Sequence, residues 1–259
     1  MTSTETGGSV LVVGTGPGPE RWTTPETAEI LARATDLVGY GPYLARCSER
    51  PGQRRHGSDN RVELDRARHA LELAASGATV AVVSVGDPGV FAMAAAVCEA
   101  IEAGPPAWRN IELVIVPGVT AMLAVAARAG APLGHDFCAI SLSDNLKPWE
   151  LIERRLTLAA EAGFVIALYN PISKARPWQL GRALELLAEK LPPKTPVIFG
   201  RAAGRPDERI TVFELATAEA SRADMATCVI IGSTETRLIE RPGRAPLVYS
   251  PRFSRGASA

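Results

Sequence analysis

Four short segments rich in glycine and proline carry the residues best suited to chemistry in this chain. Each directly follows an apolar run that reads as a β-strand. The first is Gly14-Thr15-Gly16-Pro17-Gly18-Pro19. Glycines there permit a tight turn and close backbone approach to a ligand. A dinucleotide fold wants GxGxxG opening a helix, with an acid about 20 residues on. Pro19 stands at the third glycine position, and Pro17 removes a further backbone donor. A loop with two prolines is a poor phosphate cradle. It reads as a rigid wall beside a ligand or as an ordinary strand-exit turn. The second segment is Ser84-Val85-Gly86-Asp87-Pro88-Gly89-Val90-Phe91. Asp87 can accept hydrogen bonds from an amine or a ribose hydroxyl, or it can cap the next helix. The third is Val116-Pro117-Gly118-Val119-Thr120-Ala121, with Thr120 a natural N-cap, and the fourth is Ala167-Leu168-Tyr169-Asn170-Pro171. Ligands of open parallel sheets sit at the carboxyl ends of the strands. Four such turns, spread over both halves, point to one shared cleft.

Other chemistries find little support. There is no GxSxG elbow and no Walker motif, so a nucleophilic hydrolase has nothing to stand on. His56, His69 and His135 lack metal-ligand spacing, and no metal site is expected. His69 falls on a helix and is expected to be solvated. His135 falls in a loop before a strand. Cys47, Cys98, Cys138 and Cys228 form no CxxC pair. The last three lie in apolar segments and are expected to be buried thiols in a reducing cytoplasm. Arg46, Arg50, Arg54 and Arg55 fall within ten residues that hold one acid, Glu49. They can clamp carboxylates or form a solvated loop.

These residues need elements to hold them. Strands are expected at Ser9 to Val13, Asp36 to Gly39, Thr79 to Val85 and Ile111 to Val116. Helices are expected at Pro25 to Ala34, Val62 to Ala75 and Val90 to Ala103. Thr24 and Pro25 supply a helix start. After a Pro-Gly turn the alternation begins again. Helices are expected at Thr120 to Ala129, Pro148 to Ala162 and Pro177 to Lys190. Strands are expected at Phe137 to Leu142, Phe164 to Tyr169, Pro196 to Gly200, Arg209 to Leu215 and Thr227 to Gly232. Alternating strands and helices imply an α/β fold with mostly parallel sheets. The short loop before Arg209 suggests some antiparallel pairing. The count is too irregular for a TIM barrel. An N-terminal domain over 1–117 and a C-terminal domain over 118–240 fit best. A basic tail, 241–259, holds four arginines and no acid. A chain of 259 residues can bury about 73% of its unfolded surface, enough for two cores.

The chain carries 28 Lys+Arg and 28 Asp+Glu, so its net charge is zero. That argues against a general nucleic-acid binder. No apolar run approaches the roughly 18 residues of a membrane span. The amino terminus lacks the charged-then-apolar pattern of a signal peptide.

Five segments together resemble the tetrapyrrole methylases of siroheme and cobalamin synthesis. They are VVGTGPGPERWTTPETAEILARATDLVGYGPYL, VSVGDPGVF, VPGVTAMLAVAARAGAPLGHDFCAISLSD, PWELIERRL and LYNPISK. The likeness runs from about Val10 to Leu238. GYGPYL, GHDFCAISLSD and PWELIERRL narrow it to the branch that methylates carbon 17 of precorrin-3B and contracts the macrocycle. The resemblance implies two αβα domains with an interdomain cleft, and a homodimer. It implies S-adenosyl-L-methionine folded in that cleft and S-adenosyl-L-homocysteine as product. By position it implies cofactor contacts from Pro17, Val85, Gly86, Asp87, Val90, Thr120, Ala121, Tyr169 and Asn170, with Ala203 and Thr227 further along. Asn170 stands where relatives often carry Met. Ring contraction asks for a general base, for which Tyr40, Asp87 and Asp144 are candidates by location. Arg54 and Arg55 are the candidates for binding the substrate's carboxylates. A sister branch acts on cobalt-factor III. A nucleotide-binding oxidoreductase is disfavoured by the broken glycine motif. A non-catalytic α/β module would bind cofactor without transferring methyl.

Overall fold

The computed structural model describes residues 7–59 and 62–254. The chain divides into two compact units, Met1–Thr120 and Ala121–Ala259. The division falls three residues beyond the expected boundary at 117.

In the first unit, β1 (Ser9–Gly14), β2 (Asp36–Tyr40), β3 (Arg54–Ser58), β4 (Thr79–Ser84) and β5 (Glu112–Val116) form one parallel sheet. Its order is β3-β2-β4-β1-β5. The helices are α1 (Pro25–Arg33), α2 (Gly41–Leu44), α3 (Glu63–Ala75) and α4 (Met93–Ala103). Side chains alternate across the central strands. Val10, Val12, Val80 and Val82 pack with Ala67, Leu71 and Val97 of α3 and α4. Leu11, Val13 and Val83 pack on the other face with Ile30 and Leu44 of α1 and α2. Each such buried Val or Leu contributes roughly 1.5–3 kcal/mol. Covering both faces is what a parallel sheet requires. The Thr24 hydroxyl accepts from Thr27 N at 3.2 Å, capping α1 as its sequence suggests.

Strand β3 was not expected, because Arg-Arg-His-Gly-Ser has no apolar alternation. Polar side chains hold it instead. The Asp36 carboxylate, fully buried, accepts from Arg54 Nε at 2.7 Å, Arg54 Nη2 at 2.8 Å, His56 Nε2 at 2.8 Å and Thr35 Oγ1 at 2.7 Å. His56 Nδ1 lies 3.0 Å from His69 Nε2 on α3. The two imidazoles thus share a hydrogen bond that ties β3 to α3. His69 is therefore a bonded, half-buried side chain, not a solvated one.

In the second unit, α5 (Ala121–Ala129) leads to β6 (Gly130–Ala131), β7 (Phe137–Ser141), α6 (Trp149–Glu161), β8 (Val165–Tyr169) and α7 (Gln179–Ala188). Then follow β9 (Pro196–Arg201), β10 (Arg209–Glu214), β11 (Thr227–Ile231), β12 (Arg237–Ile239) and β13 (Leu247–Tyr249). Five of these strands form a sheet in the order β10-β9-β11-β8-β7. Only β7 and β8 pair in parallel; the other three pairings are antiparallel. The mostly parallel pattern thus belongs to the first unit. Helices α6 and α7 bury Ile152, Leu156, Leu180 and Leu187 against this sheet. A Cβ on Gly200 would collide with Val125 of α5, so that glycine lets the helix lie close to the sheet.

The expected tail is partly built into the fold. Strand β13 pairs with β12 and β6 in a third sheet, with Val248 buried. Ser250 Oγ donates to Pro132 O at 2.6 Å. Residues 255–259 lie outside the described residues. The cysteines also differ from expectation. Cys228 is buried, and burial pushes its thiol up to about 12. Cys138 is half-buried, and Cys98 lies on an exposed position of α4.

Candidate active site

Three adjacent strands, β4, β1 and β5, end at one place in the first unit. Their exit loops are locked together through backbone atoms. Thr15 N donates to Ser84 O at 2.9 Å, and Gly16 N donates to Gly86 O at 3.2 Å. Gly16 and Gly86 both lie in the left-handed region, at φ 71° and 80°. A Cβ on Gly14 would stand 2.6 Å from Gly86 O and 2.8 Å from Gly118 N. A Cβ on Gly118 would strike Gly86 O and stand 2.9 Å from Gly14 Cα. The glycines of three separate motifs are therefore needed for one another. Side-chain-free backbone is what lets the loops meet.

Asp87 is the clasp of this junction. Its Oδ1 accepts from Gly89 N at 2.8 Å and its Oδ2 from Gly118 N at 3.0 Å. The helix that follows begins at Met93 with Ala92 as its cap residue, so Asp87 is not its N-cap. Both carboxylate oxygens are engaged by backbone N–H groups, each with a lone pair left over. Hydrogen bonds to a charged acceptor are worth about 1.5–3 kcal/mol each. Asp87→Ala is expected to destabilise the protein by about 2–4 kcal/mol, read as a lower midpoint in urea denaturation. An unchanged midpoint would mean the clasp carries no load.

Around this junction lie Pro17, buried, and Val85 and Val90, half-buried. Thr120 is buried beside Gly86, whose Cβ position would be 3.9 Å from Thr120 Cα. Phe91 closes the second of the glycine-proline segments. It sits at φ 51° with half of its surface exposed. A non-glycine residue there costs of order 1–3 kcal/mol, and such strain clusters at ligand sites. Tyr40 ends β2, and its ring packs edge-on to Tyr43 with centroids 5.1 Å apart.

In the second unit, Ala121 opens α5. The Tyr169 hydroxyl accepts from Met122 N at 3.0 Å, so the end of β8 holds the first turn of α5. Asn170 lies at φ 51°, a conformation Asn tolerates better than most residues. Its Nδ2 donates to Ser141 Oγ at 3.0 Å, and Arg176 Nη1 donates to its carbonyl at 3.2 Å. Asp144 accepts from Gln179 Nε2 at 3.1 Å. Ala203 is buried just beyond β9, after Ala202 at φ 49°. Thr227 Oγ1 donates to Asp224 Oδ1 at 2.8 Å and accepts from Asp224 N at 3.0 Å. Its side chain is thus engaged within its own turn.

The arginines expected to clamp substrate are otherwise engaged. Arg54 grips Asp36 with two donors. Arg55 donates to Leu44 O at 2.9 Å, Cys47 O at 2.9 Å and Ser48 O at 2.7 Å. Both serve the chain's own folding, a role that their sequence neighbours do not reveal.

Comparison with known proteins gives the same direction. The profile of the Tetrapyrrole (Corrin/Porphyrin) Methylases matches residues 9–219. A precorrin-3B C(17)-methyltransferase from Sinorhizobium sp is 71% identical over 251 residues, covering 97% of this chain and 99% of that protein. A crystal structure of the methyltransferase CobJ superposes with a TM-score of 0.90 at 56% identity, covering 94% of this chain and 100% of that one. A uroporphyrin-III C-methyl transferase from Thermus thermophilus, complexed with S-adenyl homocysteine, shares the fold with a TM-score of 0.64. It is 21% identical and covers 87% of this chain and 98% of its own.

Proposed function

The chain belongs to the tetrapyrrole methylases, and we propose that it methylates carbon 17 of precorrin-3B, with contraction of the ring to precorrin-4, in cobalamin biosynthesis. The observation that carries this reading is the 71% identity to the precorrin-3B enzyme over nearly the whole of both chains. The geometry supports it. The junction of β1, β4 and β5 presents backbone and prolines in place of a phosphate cradle, which suits a cofactor without phosphates. Gly86 is itself buried, its Cβ position in ordinary contact with Thr120 Cα and Val119 O at 3.9 Å, so the junction is closely packed. These residues fit S-adenosyl-L-methionine, with Pro17, Val85, Gly86, Val90 and Thr120 as contacts in the first unit. Ala121, Tyr169, Asn170 and Ala203 are the corresponding proposals in the second.

When bound, this cofactor supplies a methyl group already activated on a sulfonium. The protein's task is to hold an electron-rich macrocyclic carbon in line with it. Such positioning can supply about 7–11 kcal/mol of a barrier. Asp87 contributes by keeping the loop junction closed. Tyr40, Asp87 and Asp144 are the candidates for the proton transfer of ring contraction.

A homodimer and a cytoplasmic location belong to the same reading. Among the described residues no helix is long and apolar enough to cross a membrane. The decisive assay incubates the protein with methyl-labelled S-adenosyl-L-methionine and precorrin-3B. One labelled methyl at carbon 17 is expected. No added methyl would overturn the reading, and turnover of cobalt-factor III alone would move the protein to the sister branch.

A further inference from the structure

One cavity in the first unit adjoins the loop junction, sharing Thr15 and Gly18 with the β1 exit loop. It measures about 130 Å³ and opens between the β1–α1 loop, α1 and the segment from α2 to β3. That is room for about four waters. Its floor includes the buried Leu37, and Arg46, Arg50, Gln53 and Cys47 line it, with Glu20 its one acid. Arg46 Nη2 donates to Gly18 O at 2.8 Å and so braces the wall of the cavity. The Arg50 side chain makes no ion pair or hydrogen bond among the described residues. Gln53 is fixed by its Nε2, which donates to Leu31 O at 3.0 Å and Ala34 O at 2.8 Å. Its Oε1 is buried with no partner. A buried acceptor without a partner is uncommon and calls for a water or a ligand group.

Resting on the function proposed above, we infer that this cavity is a subsite for one carboxylate-bearing side chain of the tetrapyrrole, with Arg50 as its ion partner. The apolar floor takes the methylene stem. Arg50 meets the carboxylate at the mouth, where Arg46 adds to the positive field. Arg54 and Arg55, spent on Asp36 and on backbone carbonyls, leave Arg50 as the cation of the cluster able to turn to a ligand.

The test compares wild type with Arg50→Glu and Arg50→Gln. Steady-state methyl transfer to precorrin-3B is measured at several salt concentrations, with calorimetric titration of S-adenosyl-L-homocysteine alongside. In Arg50→Glu, KM for the tetrapyrrole is expected to rise at least tenfold and to lose its salt dependence. The kcat and the S-adenosyl-L-homocysteine affinity are expected to stay within twofold. Arg50→Gln is expected to lie between. As a readout independent of turnover, precorrin-3B should protect Cys47 from iodoacetamide in wild type and not in Arg50→Glu, with the labelled peptide identified by mass. Unchanged KM and unchanged protection would overturn the subsite. So would a parallel loss of S-adenosyl-L-homocysteine affinity, which would place the effect at the cofactor loops. Failure of the wild type itself to methylate precorrin-3B would instead remove the function on which the subsite rests.

Discussion

Gly118→Ala is expected to lower S-adenosyl-L-homocysteine affinity by at least about 100-fold, near 3 kcal/mol. The added Cβ would run into Gly86 O and come within 2.9 Å of Gly14 Cα. Every atom it meets is backbone, so no side chain can swing away. Overpacking in a well-packed region typically costs about 1–3 kcal/mol. Here relief requires the three loops to part. Parting them stretches the bond from Gly16 N to Gly86 O and the bond from Gly118 N to Asp87. The loss therefore reaches beyond one contact, to the surface that three strands build together. Gly41→Ala is the control, since nothing lies within 4 Å of its Cβ position. Calorimetry should show binding retained in that variant and absent in Gly118→Ala, while far-ultraviolet circular dichroism shows both folded. Normal binding by Gly118→Ala would mean that the cofactor does not sit at this junction.

The contrast between these two glycines shows what was readable in the chain and what was not. The position of each Gly/Pro turn followed from apolar runs, and so did the central strands and the longer helices. The reason for each glycine did not follow. Gly14, Gly86 and Gly118 are far apart in sequence, and only their meeting explains them. Asp87 illustrates the same limit. As a local residue it offers itself as a cap or a ligand acceptor. Its partner Gly118 lies 31 residues on, beyond the reach of spacing rules. The second sheet was harder still. Strands β9 and β11 have continuous apolar centres, Val197 to Phe199 and Cys228 to Ile231, a pattern that fits a parallel or an antiparallel neighbour equally well. Strand β13 follows arginines and prolines that read as a tail, yet Val248 is buried between β12 and β6. The left-handed backbone at Phe91, Asn170 and Ala202 has no sequence signal except weakly at Asn170. Strand β3 was missed because charge, and not apolar periodicity, holds it.

That charge makes the second large effect a matter of stability. Asp36→Asn is expected to cost on the order of 3 kcal/mol at neutral pH, the low end of what breaking a buried ion pair costs. The low end applies because the Arg54 side chain is 66% exposed and solvent screens it. The hydrogen bonds from Arg54 hold the Asp36 carboxyl well below the usual carboxylate range. Burial opposes that shift, while His56 and Thr35 add to it. A carboxyl whose folded pKa is depressed binds fewer protons in the native state than in the unfolded one. Its contribution is complete above the unfolded value of about 3.9 and is lost as the pH falls below it. Wild type should therefore lose stability steadily below about pH 5. Asp36→Asn should start lower at pH 7 and fall less steeply over the same range. Urea denaturation at pH 7, 5, 4 and 3 reads both quantities. Parallel curves for the two proteins would show that Asp36 is not the titrating anchor. The anchor also bears on the proposed subsite. Arg54 directly follows Gln53, and Arg54 N donates to Thr35 O at 2.9 Å. Releasing Asp36 frees the start of β3 and with it the wall that carries Gln53. Asp36→Asn should thus raise KM for the tetrapyrrole while S-adenosyl-L-homocysteine affinity holds, because Gly14, Gly86 and Gly118 keep one another in place without it.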